Sequence, residues 1–297
     1  MKASISIALV TRNRPASLER TLQSLQSQDG GVDEVIISDD SDPDTSALVR
    51  DLAHRFGCTY VPGPRRGLYA NRNHAALMCR GTHVRTMDDD HTFPTGHLKA
   101  CHAAVEDAPE SIWVIGECLP GTEETGVQFQ CPGQLHPRGF STTPVEGGPM
   151  WAIADGASIY PRQVFDSGQR FYEGFVFGAS YLEWGSRLHW LGYDICHLSN
   201  TYVVHHFDAT PRSYDDRVTD TASRLFAGMS HSFIYQRTLR NRALTVGQTA
   251  VTVAQMRQVG VRSVVAAVRA YREHRRVVLG NGPAGDGAHF DEEAGRD

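Results

Sequence analysis

The chain has 297 residues but only two lysines, Lys2 and Lys99, so arginine supplies nearly all of its positive charge. With a formal net charge of -5, it is a poor candidate for a nucleic-acid binder driven by bulk phosphate neutralisation. The six cysteines (Cys58, Cys79, Cys101, Cys118, Cys131, Cys196) are scattered, with no C-x-x-C pair of the kind zinc or redox sites use. They are read as reduced, structural thiols. No run approaches the roughly twenty apolar residues needed to cross a bilayer. The single amino-terminal apolar run, Ile5 to Val10, is too short for a signal segment, and a cytoplasmic protein is expected. Two phosphate-binding patterns are also missing: G-x-G-x-x-G after the first strand and the Walker-type G-x-x-x-x-G-K-[ST]. A Rossmann dehydrogenase and a P-loop kinase are therefore disfavoured.

What is present is a 40% hydrophobic chain with the rhythm of an α/β protein. Ser4 to Val10 reads as a buried strand, and Leu18, Leu22 and Leu25 mark one face of a helix that starts near Pro15. Val35-Ile36-Ile37 predicts a second strand, Asp44 to Phe56 a helix, and Cys58 to Val61 a third strand. Gly67 to His74 is expected to be a loop leading into a helix through Ala75 to Cys79, and Thr82 to Met87 a further strand. Alternation of this kind builds a doubly wound, largely parallel sheet that gathers ligands at the carboxyl ends of its strands. Thr11 to Arg14, Ser38 to Asp42 and Asp88 to His91 all fall at such ends.

Three adjacent carboxylates, Asp88-Asp89-Asp90, followed by His91 repel one another. A folded protein keeps such a group on a solvated turn or around a cation. Downstream, a helix is expected over Gly96 to Glu106, a strand over Ile112 to Ile115, and a long loop covering the pocket over Pro120 to Pro149. A helix through Tyr181 to Leu191, strand-like runs at Tyr193 to Cys196 and Thr201 to Val204, and a mostly helical region after Asp215 follow. The Gly-rich, acidic tail of residues 280–297 is expected to be disordered.

In this order the motifs resemble the family 2 glycosyltransferases of the GT-A fold, inverting enzymes that use nucleotide sugars. The resemblance covers about Ser4 to His206 and rests on Ile7-Ala8-Leu9-Val10-Thr11-Arg12-Asn13-Arg14, Val35-Ile36-Ile37-Ser38-Asp39-Asp40-Ser41, Gly67 to Asn73, and Met87-Asp88-Asp89-Asp90. It implies a GT-A domain over residues 1–214, with a nucleotide-binding half (1–110) and an acceptor half (111–214), and a helical extension over 215–279. It also implies nucleotide contacts from Thr11, Arg12, Arg14, Asp40, Arg72, Asp88 and Asp89, and a Mn²⁺ or Mg²⁺ ion held by Asp88 and Asp90 with His205 as a further ligand. Such a cation would lie against the donor diphosphate, where oxygen ligands suit a hard ion.

Relatives carry a Glu-Asp pair before a helix ending in Arg-Leu, and its Asp is the usual base. Here Ser180 and Tyr181 occupy the pair's positions, so Glu183 is the first candidate base and Glu173 the second. Trp151 and Trp184 are candidates for stacking on a sugar face, and Asp155-Gly156 for lining the donor-sugar or acceptor site. The expected partners are a nucleotide-sugar donor, most simply a UDP-sugar, and an unidentified hydroxyl acceptor. Val261, Val264, Val265 and Val268, at helical spacing among arginines, suggest a packed helix, a dimer surface or a peripheral membrane helix. Two rival readings remain: a nucleotidyltransferase, and a catalytically silent sugar-nucleotide or carbohydrate binding protein.

Overall fold

A computed structural model describes residues 3–119, 128–206 and 217–280. The first strand, β1 (Ile5–Thr11), is buried at every position and forms the spine of the sheet. Helix α1 (Pro15–Gln26) begins on its proline and buries Leu18, Leu22 and Leu25, as the spacing predicts. Then come β2 (Glu34–Asp39), α2 (Pro43–Arg55), β3 (Thr59–Pro62), α3 (Leu68–Met78), β4 (His83–Asp88), β5 (His91–Thr92) and α4 (His97–Asp107). The second half holds β6 (Ile112–Leu119), β7 (Gln128–Gln130), β8 (Gln134–His136), β9 (Phe140–Thr142), β10 (Ser158–Pro161), α5 (Gln163–Asp166), α6 (Tyr181–Trp190) and β11 (Ile195–His205). Helix α7 (Arg217–Ser230), a π-helical turn (His231–Tyr235) and the long α8 (Leu239–Gly280) close the described chain.

The main sheet runs β3-β2-β1-β4-β10-β6-β11-β5, with β7 added beside β6. Strands β3, β2, β1 and β4 are parallel, whereas β10 is antiparallel to both β4 and β6, so the sheet is mixed. Register decides what meets at the carboxyl edge: Thr11 lies opposite Asp39, and Val10 opposite Asp88. The polar stretches that end β1, β2 and β4 therefore converge on one rim of an apolar core that includes Ile7, Leu9, Ile37 and Met87.

The structure departs from the sequence reading in three places. Helix α3 begins at Leu68, not Ala75, so Asn71, Arg72 and Asn73 sit inside a helix, fully covered. Their polarity is explained by tertiary partners: Asn71 donates to the Ser38 carbonyl at 3.0 Å and Asn73 to the Phe171 carbonyl at 2.9 Å. The turn into α3 needs Gly67, at φ 104°, because a Cβ there would run into the backbone of Val176. Secondly, the expected long loop contains β7 and the β8-β9 hairpin; its residues 120–127 lie outside the described residues, as do 281–297 of the tail. Thirdly, the two late strand-like runs are one strand, β11, with a register shift between Leu198 and Tyr202 against β6.

Helix α8 is two limbs joined at Arg257, whose φ of 48° and ψ of -118° are not helical. Its second limb packs Ala267 and Ala270 against Phe226 and Leu225 of α7. No helix among the described residues is long and apolar enough to cross a membrane.

Candidate functional site

A cleft of about 1090 Å³ opens at the carboxyl edge of the sheet. Its floor carries Asp88, Asp90, Arg72, Asp155, Glu117 and His205. Arg14, Tyr69, Phe129, Phe177 and Tyr181 contribute walls, and α7 supplies Arg217, Asp220, Thr221 and Arg224 across the opening.

Arg72 reaches the floor from within α3. Its Nη2 lies 3.0 Å from Asp88 Oδ1 and 3.0 Å from Asp155 Oδ2, and its Nη1 donates to the Asp155 carbonyl at 2.8 Å. Burial alone would lower the pKa of this guanidinium, but the two carboxylates outweigh that and raise it. Asp155 is the converse: burial raises its carboxyl to about 6 against the opposing pull of Arg72. Gly156 follows because a Cβ there would strike the Asp88 carboxylate, so the backbone can approach the acidic floor only without a side chain.

The three acids of the triplet diverge. Asp88 and Asp90 face the cleft, while Asp89 points inward, accepting from Thr11 Oγ1 at 2.6 Å and pairing with Arg14 Nη2. Successive side chains leaving a strand alternate in direction, which makes the middle acid a brace between the end of β4 and the turn that joins β1 to α1. Burial raises Asp89 to about 7, opposed by Arg14. Arg14 also donates to Asp90 Oδ2 at 2.7 Å. The nucleotide role expected for Asp89 and Thr11 is thus not supported by their placement: both are buried and neither lines the cleft.

Asp90, His91 and His205 each offer a ligand atom within 4.8 Å of the others. His91 is wholly covered, yet neither of its ring nitrogens has a hydrogen-bond partner. An unsatisfied imidazole in such a position is costly unless something binds it. His205 is held by Glu117, whose Oε2 lies 3.0 Å from Nδ1, leaving Nε2 turned to Asp90 Oδ1 at 3.5 Å. Burial would lower His205, but Asp90 and Glu117 more than reverse this and raise it to about 10. His206 points elsewhere, its Nε2 lying 2.7 Å from Thr92 Oγ1. One carboxylate and two imidazoles fit a divalent transition cation better than the all-oxygen shell magnesium prefers. The sequence groups His91 with the acidic triplet but does not single it out as a ligand; its place directly after the triplet is the available signal.

Several expected site residues lie outside this cleft. Glu183 is wholly buried in a network behind it, where its carboxylate meets Arg187 Nε at 2.9 Å, Tyr235 OH at 2.5 Å and His274 Nε2 at 2.8 Å. Burial would raise this carboxyl, but Arg187 and His274 hold it well below the usual range. Glu173 pairs with Arg66 at 2.9 Å and accepts from Asn73 Nδ2 at 2.9 Å. Trp184 packs on Phe171 with ring centroids 4.6 Å apart, and Trp151 donates from Nε1 to the Leu135 carbonyl at 3.1 Å. Both tryptophans serve packing; Tyr69, Phe129, Phe177 and Tyr181 are the aromatic side chains that line the opening. Asp40 lies beyond the rim, where burial raises its carboxyl against the opposing pull of the Arg65 backbone N–H, which donates to it at 2.8 Å, and of Arg12.

Comparison with known proteins agrees with this architecture. Residues 6–168 match the model of the family described as Glycosyl transferase family 2. A 123-residue stretch is 29% identical to the GalNAc(5)-diNAcBac-PP-undecaprenol beta-1,3-glucosyltransferase of Campylobacter jejuni, covering 39% of this chain and 38% of that one. An uncharacterized Mycobacterium tuberculosis protein is 29% identical over 107 residues, covering 36% of this chain and 34% of its own. The matches thus span little more than a third of the length of either relative. Among solved structures, GalNAc-T7 with UDP, GalNAc and Mn²⁺ superposes with a TM-score of 0.67 at 13% identity, over 93% of this chain and 56% of that one. S. aureus TarS 1-349 gives 0.53 at 16% identity, over 93% and 92%. At such identities the likeness concerns the fold, a GT-A fold with a helical carboxyl-terminal region.

Proposed function

The chain belongs to glycosyl transferase family 2, and on that premise we propose that it moves a sugar, with inversion, from a UDP-sugar to an acceptor hydroxyl with the help of a divalent cation. The observation that carries this reading is the cluster in which Asp90 and His205 line the cleft and His91 lies covered beneath them, with no hydrogen-bond partner for either of its ring nitrogens. A bound cation would offset the charge that builds on the departing diphosphate. The mixed donor set favours Mn²⁺ over Mg²⁺. The presence of UDP and Mn²⁺ in the GalNAc-T7 structure supports the same choice by analogy of fold.

The protein's own groups divide the remaining work. Asp88, locked to Arg72 at 3.0 Å, is a fixed acceptor for a ribose or sugar hydroxyl beside the cation site. Arg72 keeps that carboxylate ionised and oriented, and Arg14 adds positive charge near the phosphates. A proton must also leave the acceptor hydroxyl as it attacks. Glu183 and Glu173 lie outside the cleft, and Tyr181, at the usual base position, is a phenol whose pKa burial raises further. Among the acids of the cleft, Asp88 and Asp155 are tied to Arg72, Asp90 to Arg14 and Glu117 to His205, which leaves Asp220, in the first turn of α7 near Tyr181 and paired with Arg224 of its own helix at 3.1 Å. We assign Asp220 as the proton acceptor.

The test is to incubate the protein with UDP-sugars and Mn²⁺ and identify the products. Release of UDP with free or transferred sugar is expected, whereas pyrophosphate would mark a nucleotidyltransferase. Nucleotide binding without turnover toward water or any acceptor would favour the silent binder that Tyr181 at the base position suggests.

A further inference from the structure

The second limb of α8 carries one face that nothing among the described residues covers. At 100° per residue, Val261, Arg262, Val265, Arg269, Arg272, Arg275, Arg276 and Leu279 fall on a single strip opposite the buried Ser263, Ala267, Ala270 and His274. Val265 is 64% exposed, Val261 49% and Leu279 42%. None of the five arginines forms a salt bridge with another described residue, and Glu273 is the one acid on this limb. In a chain of net charge -5, this concentration of positive charge runs against the overall sign.

Beside the strip an apolar groove of about 690 Å³ lies between α7 and α8, lined by Phe175, Ala222, Val265 and Ala266, with Arg262 and Arg269 on its border. Helix α7 separates this groove from the cleft: Asp220, Thr221 and Arg224 face the cleft, while Val218 and Ala222 face the groove. The two are therefore about one helix diameter, roughly 10 Å, apart.

We propose that this face docks the protein on an anionic lipid bilayer. Arginines interleaved with aliphatic side chains suit a headgroup layer, where guanidinium groups pair with phosphates and valines enter the acyl boundary. The strip's charge complements an anionic surface, and its valines and Leu279 would remain without a counterpart on a nucleic acid, whose bases call for aromatic stacking. Docking there places the cleft beside the membrane surface. The inference stands on the α8 surface alone and does not depend on sugar transfer.

The test is co-sedimentation of the full chain with vesicles of phosphatidylcholine, or of phosphatidylcholine mixed with phosphatidylglycerol. Partitioning onto the anionic vesicles at least about tenfold above the zwitterionic ones is expected, weakening with salt. The Arg262→Glu/Arg269→Glu double variant should lose about tenfold or more of that partitioning, and Val265→Asp should also reduce it, both with an unchanged circular dichroism spectrum. Equal binding to both vesicle types, or binding to neither, overturns the proposal. So does a concentration-dependent dimer dissolved by Val265→Asp, or tighter binding to single-stranded RNA than to the anionic vesicles.

Discussion

Glu117 fixes His205: the 3.0 Å contact between Glu117 Oε2 and His205 Nδ1 commits that nitrogen to the carboxylate and leaves Nε2 directed at Asp90. A carboxylate behind an imidazole sets its tautomer and strengthens it as a ligand. Neither residue's partner could be guessed from sequence, since they are 88 positions apart and meet only because β11 pairs with β6. Replacing Glu117 with Gln should weaken Mn²⁺ binding about 10- to 100-fold while the fold is kept. Titration of Mn²⁺ followed by electron paramagnetic resonance reads this directly. An unchanged affinity would remove Glu117 from the site.

Asp220 is the assigned proton acceptor, so Asp220→Asn should lower turnover about 10²- to 10⁴-fold with little change in UDP affinity. Asp220→Glu should recover part of the loss and shift the pH profile. Turnover equal to the wild type in Asp220→Asn would place the base elsewhere. Product configuration, read by NMR of the anomeric proton, tests inversion separately.

Glu183 belongs to stability. Its removal strands Arg187, which also holds Gln169 Oε1 at 2.9 Å and the Arg170 carbonyl at 2.6 Å. Breaking a buried pair from one side typically costs about 3–5 kcal/mol. Glu183→Ala should lower the urea midpoint accordingly, and whatever fraction remains folded should bind nucleotide normally. A variant of full stability that has lost turnover would return Glu183 to the chemistry.

His231 gives a pH dependence of known sign. Burial lowers its pKa from 6.5 to about 4, with His136 and His189 acting in the same direction. Between those values the unfolded chain binds a proton that the folded chain refuses, so stability is full above 6.5 and falls toward 4. The single group contributes up to about 3 kcal/mol across the window. Because burial raises the carboxyls of Asp89 and Asp155, which act in the opposite sense over the same range, the readout is the difference between the urea midpoints of the wild type and His231→Gln: from about pH 7 down to about pH 4 the wild type should lose stability relative to the variant. A difference that does not change with pH contradicts this.

Much of the frame could be read in advance, because it rests on local periodicity. The apolar runs of β1 and β2 and the leucine spacing of α1 fix the parallel core, and polar residues at strand ends then mark the rim. Asp88 and Asp90 were legible for the same reason: an acidic cluster at a strand end has few uses. What escaped depends on distant partners. Asn71, Arg72 and Asn73 look like loop residues until Ser38, Asp155 and Phe171 are placed around them. Glu183 looks catalytic until His274, 91 residues later, is brought against it by α8. The α7 wall with Asp220 carries no motif, and His91 was overshadowed by the acids before it.

Asp90, His91 and His205 are proposed to form a cation site that holds a nucleotide diphosphate. Isothermal titration of UDP in the presence and absence of Mn²⁺, on the wild type and on His91→Ala, is the decisive measurement. Binding should require Mn²⁺ and weaken at least about tenfold in His91→Ala, the loss expected for one ligand of the cluster. Binding that ignores both the cation and the substitution, or no binding at all, would contradict it.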